Sequence, residues 1–392
     1  MEEYDVIIAG AGPAGGNCAK DISKKGYNVL LLESSKNIGE PNFSTAGTPN
    51  ETLEVFNLPK KVTDSPWSSI LIAGPNERTE FVYKKRMGYV LNYKKLKQHL
   101  SGEAKKHGAD VLTSSIVKSP IVKGARVVGV TVNVGGENKK FYSKIVIDAT
   151  GGRSTLAKQL GLAITKDSIT EAIEYHMKNI DFERRGRLEF YGGRNIAPGG
   201  YAWIFPKSMK SAKVGIGTFF PLDTTKSLKN RLDVFSSKNA QTKNAEVTEF
   251  HGGSMYSNGG IREHATNGFL VIGDAAFQIN PLAAEGVRHA LYAGKFAAET
   301  IEAALQINNA SKKQLQKYNE KWGNYVGDKW KISYIIQKII YSFTDKQWDN
   351  AVKTSSEINS DDFFQLAFYY RYELLKKYKY KVLKFLPKYF FL

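Results

Sequence analysis

The chain contains 392 residues, of which 42% are hydrophobic and 24% charged, so it is long enough for a sizeable core and is not mainly disordered. Its 56 Lys and Arg residues against 38 Asp and Glu residues give a net charge of +18, which favours phosphate-bearing partners such as nucleic acid, anionic lipid or a phosphorylated substrate. The single cysteine, Cys18, excludes a disulfide framework and cysteine-based zinc or iron–sulfur sites, and no apolar run is long enough to span a bilayer.

The N-terminal segment runs directly into a predicted strand. Its first residues are acidic and lack the basic region and cleavage site of a signal peptide, so we expect a cytoplasmic location. Residues 5–9 form an apolar, β-branched run, residues 17–25 have a helical pattern, and residues 29–33 form a second buried strand. Together these elements predict one compact βαβ unit.

A glycine motif lies between the first strand and the first helix of this unit. Gly10, Gly12 and Gly15 have the GxGxxG spacing, and Glu33 ends the second strand. In this context the glycines permit a tight turn, the approach of a pyrophosphate to the backbone and close packing of the helix. Glu33 is then expected to accept hydrogen bonds from a ribose diol. The alternative is a glycine-rich turn without a ligand.

The middle of the chain is rich in predicted strands. The β-branched runs at residues 116–117, 126–134 and 141–147 predict a meander, and residues 200–206 and 213–218 predict a hairpin. The segment 147–154 carries a glycine pair before a short predicted helix at residues 155–160. It predicts either a contact beside a cofactor or a plain connection between strand and helix.

A second nucleotide-binding pattern follows Gly268. A strand and a loop containing Gly273 and Asp274 precede a long predicted helix at residues 283–306. Asp274 is expected to hydrogen-bond a ribityl hydroxyl, and the amides near Gly286 and Val287 to stabilise negative charge on a reduced flavin. Two such segments, about 260 residues apart, indicate that the dinucleotide is FAD rather than NAD.

Together these segments resemble the FAD-dependent oxidoreductases of the para-hydroxybenzoate hydroxylase fold, and more narrowly the geranylgeranyl reductase family. The narrower resemblance rests on the sequence Tyr-Ala-Trp-Ile-Phe-Pro at residues 201–206 and Gly-Ile-Gly at 215–217, which is similar to the family's YxWxFP…GxG signature along the substrate cavity. Gly-Tyr-Val-Leu at 88–91 and the helix after it also resemble the family. The similarity extends from the N-terminus to about residue 310.

The resemblance implies an α/β fold in which a Rossmann-type FAD-binding domain is interleaved with a β-rich substrate domain, followed by C-terminal helices. We expect residues 1–60, 86–165 and 266–310 in the discontinuous FAD-binding domain, and residues 61–85 and 166–265 in the substrate domain. Residues 311–392 are expected to form a C-terminal helical segment. The implied activity is hydrogenation of isoprenoid double bonds by hydride transfer from reduced FAD, with a proton delivered to the other carbon.

Two groups of contact residues are expected. The FAD contacts are Gly10, Gly12, Ala14, Gly15, Glu33, Ser44, Thr45, Gly47, Val117, Gly273, Asp274, Gly286 and Val287. The substrate contacts are Tyr201, Trp203, Phe205, Pro206, Gly215 and Gly217. Tyr201, Trp203 and Phe205 alternate along a strand, so they project onto one face as an aromatic wall suited to an isoprenoid chain. An ordinary aromatic core face has the same pattern.

The chain departs from the family pattern near the flavin. The loop at residues 41–47 has Ser44 where the family usually has a cysteine, so no thiol role is carried over. Tyr93 and Lys97 replace a usual arginine and aspartate, and Glu285 interrupts the second glycine-rich loop. The catalytic residues are therefore unknown.

The proton donor stays open among Tyr201, Ser44 and a bound water. His251 is a conceivable proton relay in the substrate domain, with a packing or surface role as the alternative. The sequence has neither an HExxH motif nor a P-loop, so no metal site is expected.

The C-terminal tail, residues 371–392, contains seven Lys and Arg residues interleaved with aromatic residues. This composition suits peripheral contact with an anionic membrane, while a solvated helix is the alternative. The expected partners are a prenylated lipid substrate and an electron donor, either NADPH or a ferredoxin-like protein, with no nucleic acid. Two rival functions are a flavin-dependent monooxygenase or halogenase of the same fold, and a non-catalytic flavoprotein that carries a prenyl lipid or quinone.

Overall fold

The computed structural model describes residues 3–165, 167, 169–221, 223 and 225–378. The described residues form eighteen strands: β1 Glu3–Ala9, β2 Val29–Leu32, β3 Gly47–Pro49, β4 Thr63–Trp67, β5 Ser69–Ala73, β6 Arg78–Val82, β7 Gly88–Leu91, β8 Asp110–Leu112, β9 Ser115–Lys123, β10 Arg126–Val134, β11 Glu137–Asp148, β12 Thr170–Lys178, β13 Arg187–Tyr191, β14 Gly200–Pro206, β15 Ser211–Thr218, β16 Glu246–Met255, β17 Ala265–Thr266 and β18 Phe269–Val271. The α-helices are α1 Pro13–Ser23, α2 Asn50–Val55, α3 Tyr93–Lys106, α4 Thr155–Gln159, α5 Leu228–Lys238, α6 Val287–Gln306, α7 Lys312–Leu315, α8 Lys317–Val326, α9 Lys329–Ile340, α10 Asp345–Ser355 and α11 Ser360–Tyr369. Short 3-10 helices span Lys60–Val62, Gly151–Arg153, Gly273–Ala276 and Tyr372–Tyr378.

The chain divides into two compact units. The first unit comprises Met1–Asn42, Tyr93–Asp167 and Met255–Gly327, and the second comprises Phe43–Asn92, Ser168–Ser254 and Asp328–Leu392. The mixed α/β fold expected from the sequence is confirmed.

The first unit is built on a largely parallel sheet with the strand order β17-β18-β11-β1-β2-β8. Its central strands are continuous apolar runs, such as Val29–Leu32, because strands of this kind are covered on both faces. Antiparallel β9 and β10 extend from β11, so the predicted meander is confirmed.

The parallel strands of the first unit end at the same level. Ala9, the last residue of β1, is paired in register with Leu32 of β2 and Asp148 of β11, and Asp148 is paired with Val271 of β18. The turns that follow these four strands therefore start at one edge of the sheet, the edge where open α/β sheets bind ligands.

The second unit contains a seven-stranded sheet with the order β16-β12-β15-β14-β13-β5-β6 and a three-stranded sheet with the order β3-β7-β4. The predicted hairpin is confirmed, since β14 and β15 are paired antiparallel. Helices of the C-terminal part pack against this unit. The rings of Phe81 and Phe363 stack at a centroid distance of 3.7 Å, and Thr79 donates a hydrogen bond to the carbonyl of Val352.

The limits of the two compact units do not coincide with the expected domain boundaries, since residues 86–92 lie in the second unit and residues 255–265 in the first. Residues 43–60 belong to the second unit, because β3 pairs with β7 of that unit. Of the C-terminal helices, α7 and α8 belong to the first unit and α9 to α11 to the second. Residues 379–392, which hold most of the basic tail, lie outside the described residues.

Two predicted helices have different starts in the structure. The first helix begins at Pro13 rather than at residue 17, because Gly12 already acts as its N-cap. The long helix begins at Val287 rather than at residue 283, because Ala284 adopts a φ of 51°, which a right-handed helix does not accept. Among the described helices, none combines the length and the apolar character that a membrane span requires.

Candidate functional site

The glycine motif after β1 separates into two structural roles. Gly10 has a φ of 111°, and a Cβ there would lie 2.3 Å from the carbonyl oxygen of Ala149. A Cβ on Gly15 would lie 2.0 Å from the carbonyl oxygen of Gly10. At Gly12, by contrast, a Cβ would meet no described atom within 4 Å. Gly10 and Gly15 are thus required by backbone packing, whereas Gly12 leaves open space at the N-terminus of α1, where a phosphate is favoured.

Glu33 is fixed beside this motif. One carboxylate oxygen accepts a hydrogen bond from the amide of Ala11 at 3.2 Å, and the other accepts from the amide of Ser35 at 2.9 Å and the hydroxyl of Ser34 at 3.1 Å. The carboxylate is therefore held at the glycine loop by its neighbours. This position suits the ribose contact predicted from the sequence, which stays a prediction.

Asp274 lies on the turn that follows β18. Its half-buried carboxylate has no hydrogen-bond partner among the described residues, and burial raises the pKa of Asp274 to about 6. A Cβ on Gly286 would lie 3.6 Å from Asp274 Oδ1, so the carboxylate faces the N-terminus of α6, whose first residue is Val287. Ala14 lies against the same turn, because a Cβ on Gly273 would be 2.8 Å from that of Ala14.

These features fit FAD. A partly desolvated carboxylate without a partner gains a hydrogen bond from a hydroxyl ligand, and the open N-terminus of α1 accepts a pyrophosphate. Both lie at the sheet edge where β1, β2 and β18 end.

Asp148 has a role that the sequence did not predict. One carboxylate oxygen accepts hydrogen bonds from the amides of Leu156 at 2.8 Å and Ala157 at 2.7 Å, and the other from the amide and hydroxyl of Thr150. The buried carboxylate thus caps α4 from outside the helix. Around Asp148 the geometry fits the second interpretation of segment 147–154, a plain connection between strand and helix.

Two residues that depart from the family pattern, Glu285 and Lys97, have partners within the first unit. Glu285 forms a bidentate ion pair with Arg288 at 2.7 and 2.8 Å. Although burial alone would raise the pKa of Glu285, the charges of Arg288 and His289 lower it well below its usual range. Lys97 donates hydrogen bonds to the carbonyls of residues 40 and 41. Glu285 and Lys97 therefore stabilise local structure.

The remaining expected FAD contacts lie in different surroundings. Val117 is buried in the apolar core of the first unit with Val130 and Val132. Ser44, Thr45 and Gly47 belong to the second unit, where the carbonyls of Ser44 and Thr45 accept hydrogen bonds from Lys213. Contact of these four residues with FAD stays a prediction.

The register of β14 and β15 explains the aromatic signature. Tyr201 pairs with Gly217, Trp203 with Gly215, and Phe205 with Lys213. A Cβ on Gly215 would lie 2.2 Å from the Trp203 ring, so the indole covers a position that only glycine fits. Cross-strand partners share a face, and the three aromatic side chains therefore form one wall.

Neighbouring segments of the second unit complete the wall. The Phe205 ring lies 5.1 Å from the ring of Phe190, and a Cβ on Gly47 would lie 2.6 Å from Phe205. The Tyr201 ring lies 6.0 Å from that of Tyr341, at the end of α9. The contribution of α9 was not predicted, because the sequence motifs that carried the resemblance end at about residue 310, before this helix. Pro206 ends β14, and its carbonyl accepts a hydrogen bond from Ser65.

The same face carries buried charged residues that sequence reasoning missed. Glu174 pairs in register with Gly215, and His176 pairs with Lys213. Trp203 Nε1 donates a hydrogen bond to Glu174 at 3.2 Å. Lys213 donates to three backbone carbonyls and forms an ion pair with Asp64 at 3.3 Å. One sequence signal could have found these residues: Glu174 and His176 are two positions apart on a strand, so their ionisable side chains share one face.

Two family models match the chain. The model of FAD dependent oxidoreductases matches residues 5–172, and that of the geranylgeranyl reductase catalytic domain matches residues 168–255. The second match includes Glu174, His176 and the aromatic wall.

Curated proteins are similar over most of the chain. Digeranylgeranylglycerophospholipid reductase 1 of Methanococcoides burtonii is 30% identical over 91% of this chain and 89% of its own length. The digeranylgeranylglycerophospholipid reductase of Methanocaldococcus jannaschii is 33% identical over 81% of this chain and 82% of its own length.

Solved structures agree with this relationship. A geranylgeranyl bacteriochlorophyll reductase-like protein from Thermoplasma acidophilum has a TM-score of 0.88 and 26% identity, covering 97% of this chain and all of that one. The flavin-dependent brominase Bmp2 has a TM-score of 0.70 at 19% identity, covering 97% of this chain and 93% of that one, and shows likeness of fold alone. The chain is an FAD-dependent oxidoreductase that belongs to the geranylgeranyl reductase family.

Proposed function

We propose that the protein hydrogenates isoprenoid double bonds of a prenyl lipid of the digeranylgeranylglycerophospholipid type. The observation that carries this proposal is the aromatic wall of β14, with the Trp203 ring covering Gly215. The names of the relatives that cover most of the chain support the choice of lipid. The proposal distinguishes the protein from a halogenase, with which it shares only a distant likeness of fold.

The first unit would hold FAD at the sheet edge. The N-terminus of α1 at Gly12 would bind the pyrophosphate, Glu33 the ribose, and Asp274 a ribityl hydroxyl, while the amides near Gly286 and Val287 would face the flavin ring. Bound and reduced, FAD supplies a hydride to one alkene carbon. The protein orients the cofactor through these contacts.

The aromatic wall would bind the apolar chain of the substrate. Burying each CH₂ group of a prenyl chain is worth about 0.8 kcal/mol, so Tyr201, Trp203 and Phe205 bind a long chain without specific polar contacts. Gly215, opposite Trp203, leaves room for the indole, because a side chain there would displace it.

The test uses protein loaded with FAD, reduced with dithionite under anaerobic conditions and mixed with digeranylgeranylglycerophospholipid in detergent. Mass spectrometry should show the lipid gaining two hydrogens for each reduced bond. Trp203→Leu should lower the rate by about tenfold or more while FAD content stays that of the wild type. Trp67→Phe, a change at a fully buried indole near α11, is the matched control and should keep the rate.

Three outcomes would contradict the proposal. Equal losses of FAD and activity in Trp203→Leu would assign Trp203 to the structural core. Turnover that requires oxygen would favour a monooxygenase or halogenase. A reduced flavin that no prenyl lipid oxidises would favour a non-catalytic carrier.

We further propose that the protein is peripheral at the membrane surface, docking on anionic lipid through the tail at residues 371–392. The described start of the tail is anchored, since Tyr378 donates a hydrogen bond to Asp362 at 2.7 Å and Tyr372 bonds to Ser333. Residues 379–392 contain four of the seven basic residues. At roughly 1 kcal/mol per basic residue, these four suffice for reversible binding.

Truncation after Tyr378 tests this docking without removing the contacts of Tyr372 and Tyr378. The full chain should sediment with anionic liposomes at low salt and be released at high salt, and the truncated chain should stay in the supernatant. Equal sedimentation of both chains, or equal binding to neutral and anionic liposomes, would contradict it.

The electron donor is proposed to be NADPH or a ferredoxin-like protein. Anaerobic mixing of the oxidised holoenzyme with each donor separates the two, because only the true donor bleaches the flavin absorbance at a rate that supports turnover. Reduction by neither would contradict both.

A further inference from the structure

The buried polar residues beside the aromatic wall form a chain of contacts within the second unit. Glu174 is 0% exposed and His176 is 1% exposed. Both side chains lie on the face of the sheet that carries Trp203 and Phe205, because Gly215 and Lys213 of β15 pair with Glu174 and His176 on one side and with Trp203 and Phe205 on the other. Thr45 donates its hydroxyl hydrogen to Glu174 Oε2, the oxygen that also accepts from Trp203 Nε1. One end of the chain is therefore at the wall.

The central link joins two buried polar atoms. Glu174 Oε1 lies 3.3 Å from His176 Nε2, and neither atom has a hydrogen bond to another described residue. Buried polar atoms without partners cost about 1–3 kcal/mol each. A proton between these two atoms satisfies both of them, so the geometry favours a shared proton at this position.

The outer links reach solvent. His176 Nδ1 lies 3.2 Å from Glu249 Oε2, and His251 Nε2 lies 2.9 Å from the same oxygen. The side chain of Glu249 is 42% exposed. Every step from Glu249 to Glu174 is thus close to the reach of a proton transfer between heavy atoms.

A metal ion fits the cluster of His176, Glu249 and His251 less well than a proton does. Lys207 Nζ lies 3.3 Å from His176 Nδ1 and 3.8 Å from Glu249 Oε1. An ammonium group at this position repels a divalent cation. The same ammonium is compatible with a proton that moves between histidine and carboxylate.

We propose that Glu249, His251, His176 and Glu174 form a proton relay that supplies the second hydrogen of the alkene reduction. The inference rests on the proposed function. A proton from solvent enters at Glu249 or His251 and binds His176 Nδ1, and the Nε2 proton passes to Glu174. The neutral carboxyl group of Glu174 then turns so that its protonated oxygen faces Thr45, and this proton passes to the Thr45 oxygen as the Thr45 hydroxyl proton bonds to the alkene carbon.

The atoms and electrons of these transfer steps balance. The hydride from reduced FAD forms one C–H bond with its own electron pair, and the π electrons of the alkene form the other C–H bond with the relayed proton. One proton taken from solvent returns the four residues to their starting charge. The charge state of Glu174 is consistent with a proton acceptor: burial would raise its pKa, but His176 and the charge of Lys213 hold that pKa below its usual range.

The test compares isosteric variants. Glu174→Gln and His176→Gln keep the volume and a hydrogen-bonding group but do not relay protons. Glu189→Gln is the matched control, because Glu189 is a buried carboxylate of the same unit that contacts Arg187 and Gln241 instead. In a stopped-flow experiment, prenyl lipid is mixed with holoenzyme reduced by dithionite, and flavin reoxidation is followed.

We expect Glu174→Gln and His176→Gln to slow reoxidation by about a hundredfold or more, with unchanged FAD content and lipid affinity. Glu189→Gln should keep the rate. In His176→Gly, added imidazole should restore the rate, which a merely structural role for His176 does not predict. In D₂O, the wild-type rate should fall.

Two results would overturn the relay while leaving the proposed function intact: wild-type rates in both relay variants, or no rescue of His176→Gly by imidazole. Failure of the wild-type reduced flavin to react with any prenyl lipid would instead overturn the proposed function.

Discussion

The two units build their sites in different ways. In the first unit, the groups proposed to contact FAD lie on turns that follow parallel strands, and close backbone contacts require glycine at Gly10 and Gly15 while Gly12 leaves open space. In the second unit, the polar groups are side chains such as Thr45, Glu174 and Lys213, which come from distant parts of the sequence. A site formed by backbone atoms requires that certain positions carry no side chain. A site formed by buried polar side chains requires that each buried charge has a partner.

Loss of Lys213 should give the largest effect on stability. Its ammonium is nearly inaccessible, with the residue 2% exposed, and it satisfies three carbonyls and Asp64. Lys213→Met leaves a buried carboxylate without its cation, and we expect a loss of about 3–5 kcal/mol in the free energy of unfolding, measured by urea denaturation.

Lys331→Met is the control for Lys213→Met. Lys331 pairs with Asp328, but its side chain is 81% exposed, so the variant should unfold like the wild type. Similar losses in both variants would mean that burial does not determine the contribution of these cations.

Two substitutions in the glycine motif separate packing from cofactor binding. Gly15→Ala places a Cβ against the carbonyl oxygen of Gly10 and should lower the free energy of unfolding of the cofactor-free protein by about 1–3 kcal/mol. Gly12→Val enters open space, so it should leave that stability unchanged and abolish FAD retention, measured from the flavin absorbance of purified protein. A stable Gly12→Val protein with full FAD content would refute the phosphate site.

Asp274 of the first unit and Glu249 of the second should contribute to the pH dependence of stability with opposite signs. Burial raises the pKa of Asp274 to about 6, so the stability that this group contributes without FAD is present below the unfolded carboxyl pKa and is lost as pH rises towards about 6. Glu249 is the reverse case: burial opposes ionisation, but His251 and His176 lower its pKa to about 2, so its contribution is lost as pH falls from about 4.5 to about 2.

Asp274→Asn tests the contribution of Asp274 to the pH dependence of stability. Urea denaturation of the cofactor-free protein between about pH 4 and pH 6 should show a weaker decline with pH in the variant than in the wild type. Glu249→Gln, the matched change in the other unit, should make the decline steeper at about pH 4, because the stability that Glu249 contributes in the wild type rises with pH there. Identical slopes for Asp274→Asn and wild type would show that Asp274 titrates normally.

The first unit was largely predictable because its motifs are contiguous. Gly10, Gly12, Gly15 and Glu33 lie within one βαβ unit, and hydrophobic periodicity located its strands and helix. The capping of α4 by Asp148 was not predictable, because it depends on how the chain turns after β11.

The second unit was predictable only where its pattern is local. Tyr201, Trp203 and Phe205 alternate within one strand, and periodicity placed them on one face. The partners of Glu174 come from β14 and from the loop before β3, so they depend on strand register and loop position. Sequence reasoning considered His251 for a relay but had no means of joining it to His176 on another strand.

The tight approach of the aromatic rings to Gly47 and Gly215 constrains how this protein can change over evolution. A Cβ at position 47 would meet the Phe205 ring at 2.6 Å, and a Cβ at position 215 would meet the Trp203 ring at 2.2 Å. Positions 47 and 205, and likewise 215 and 203, are therefore expected to covary, with a smaller ring wherever the glycine is lost. A lineage that narrows or widens the wall must alter both members of a pair together, so changes in the accepted prenyl chain are reached through double substitutions.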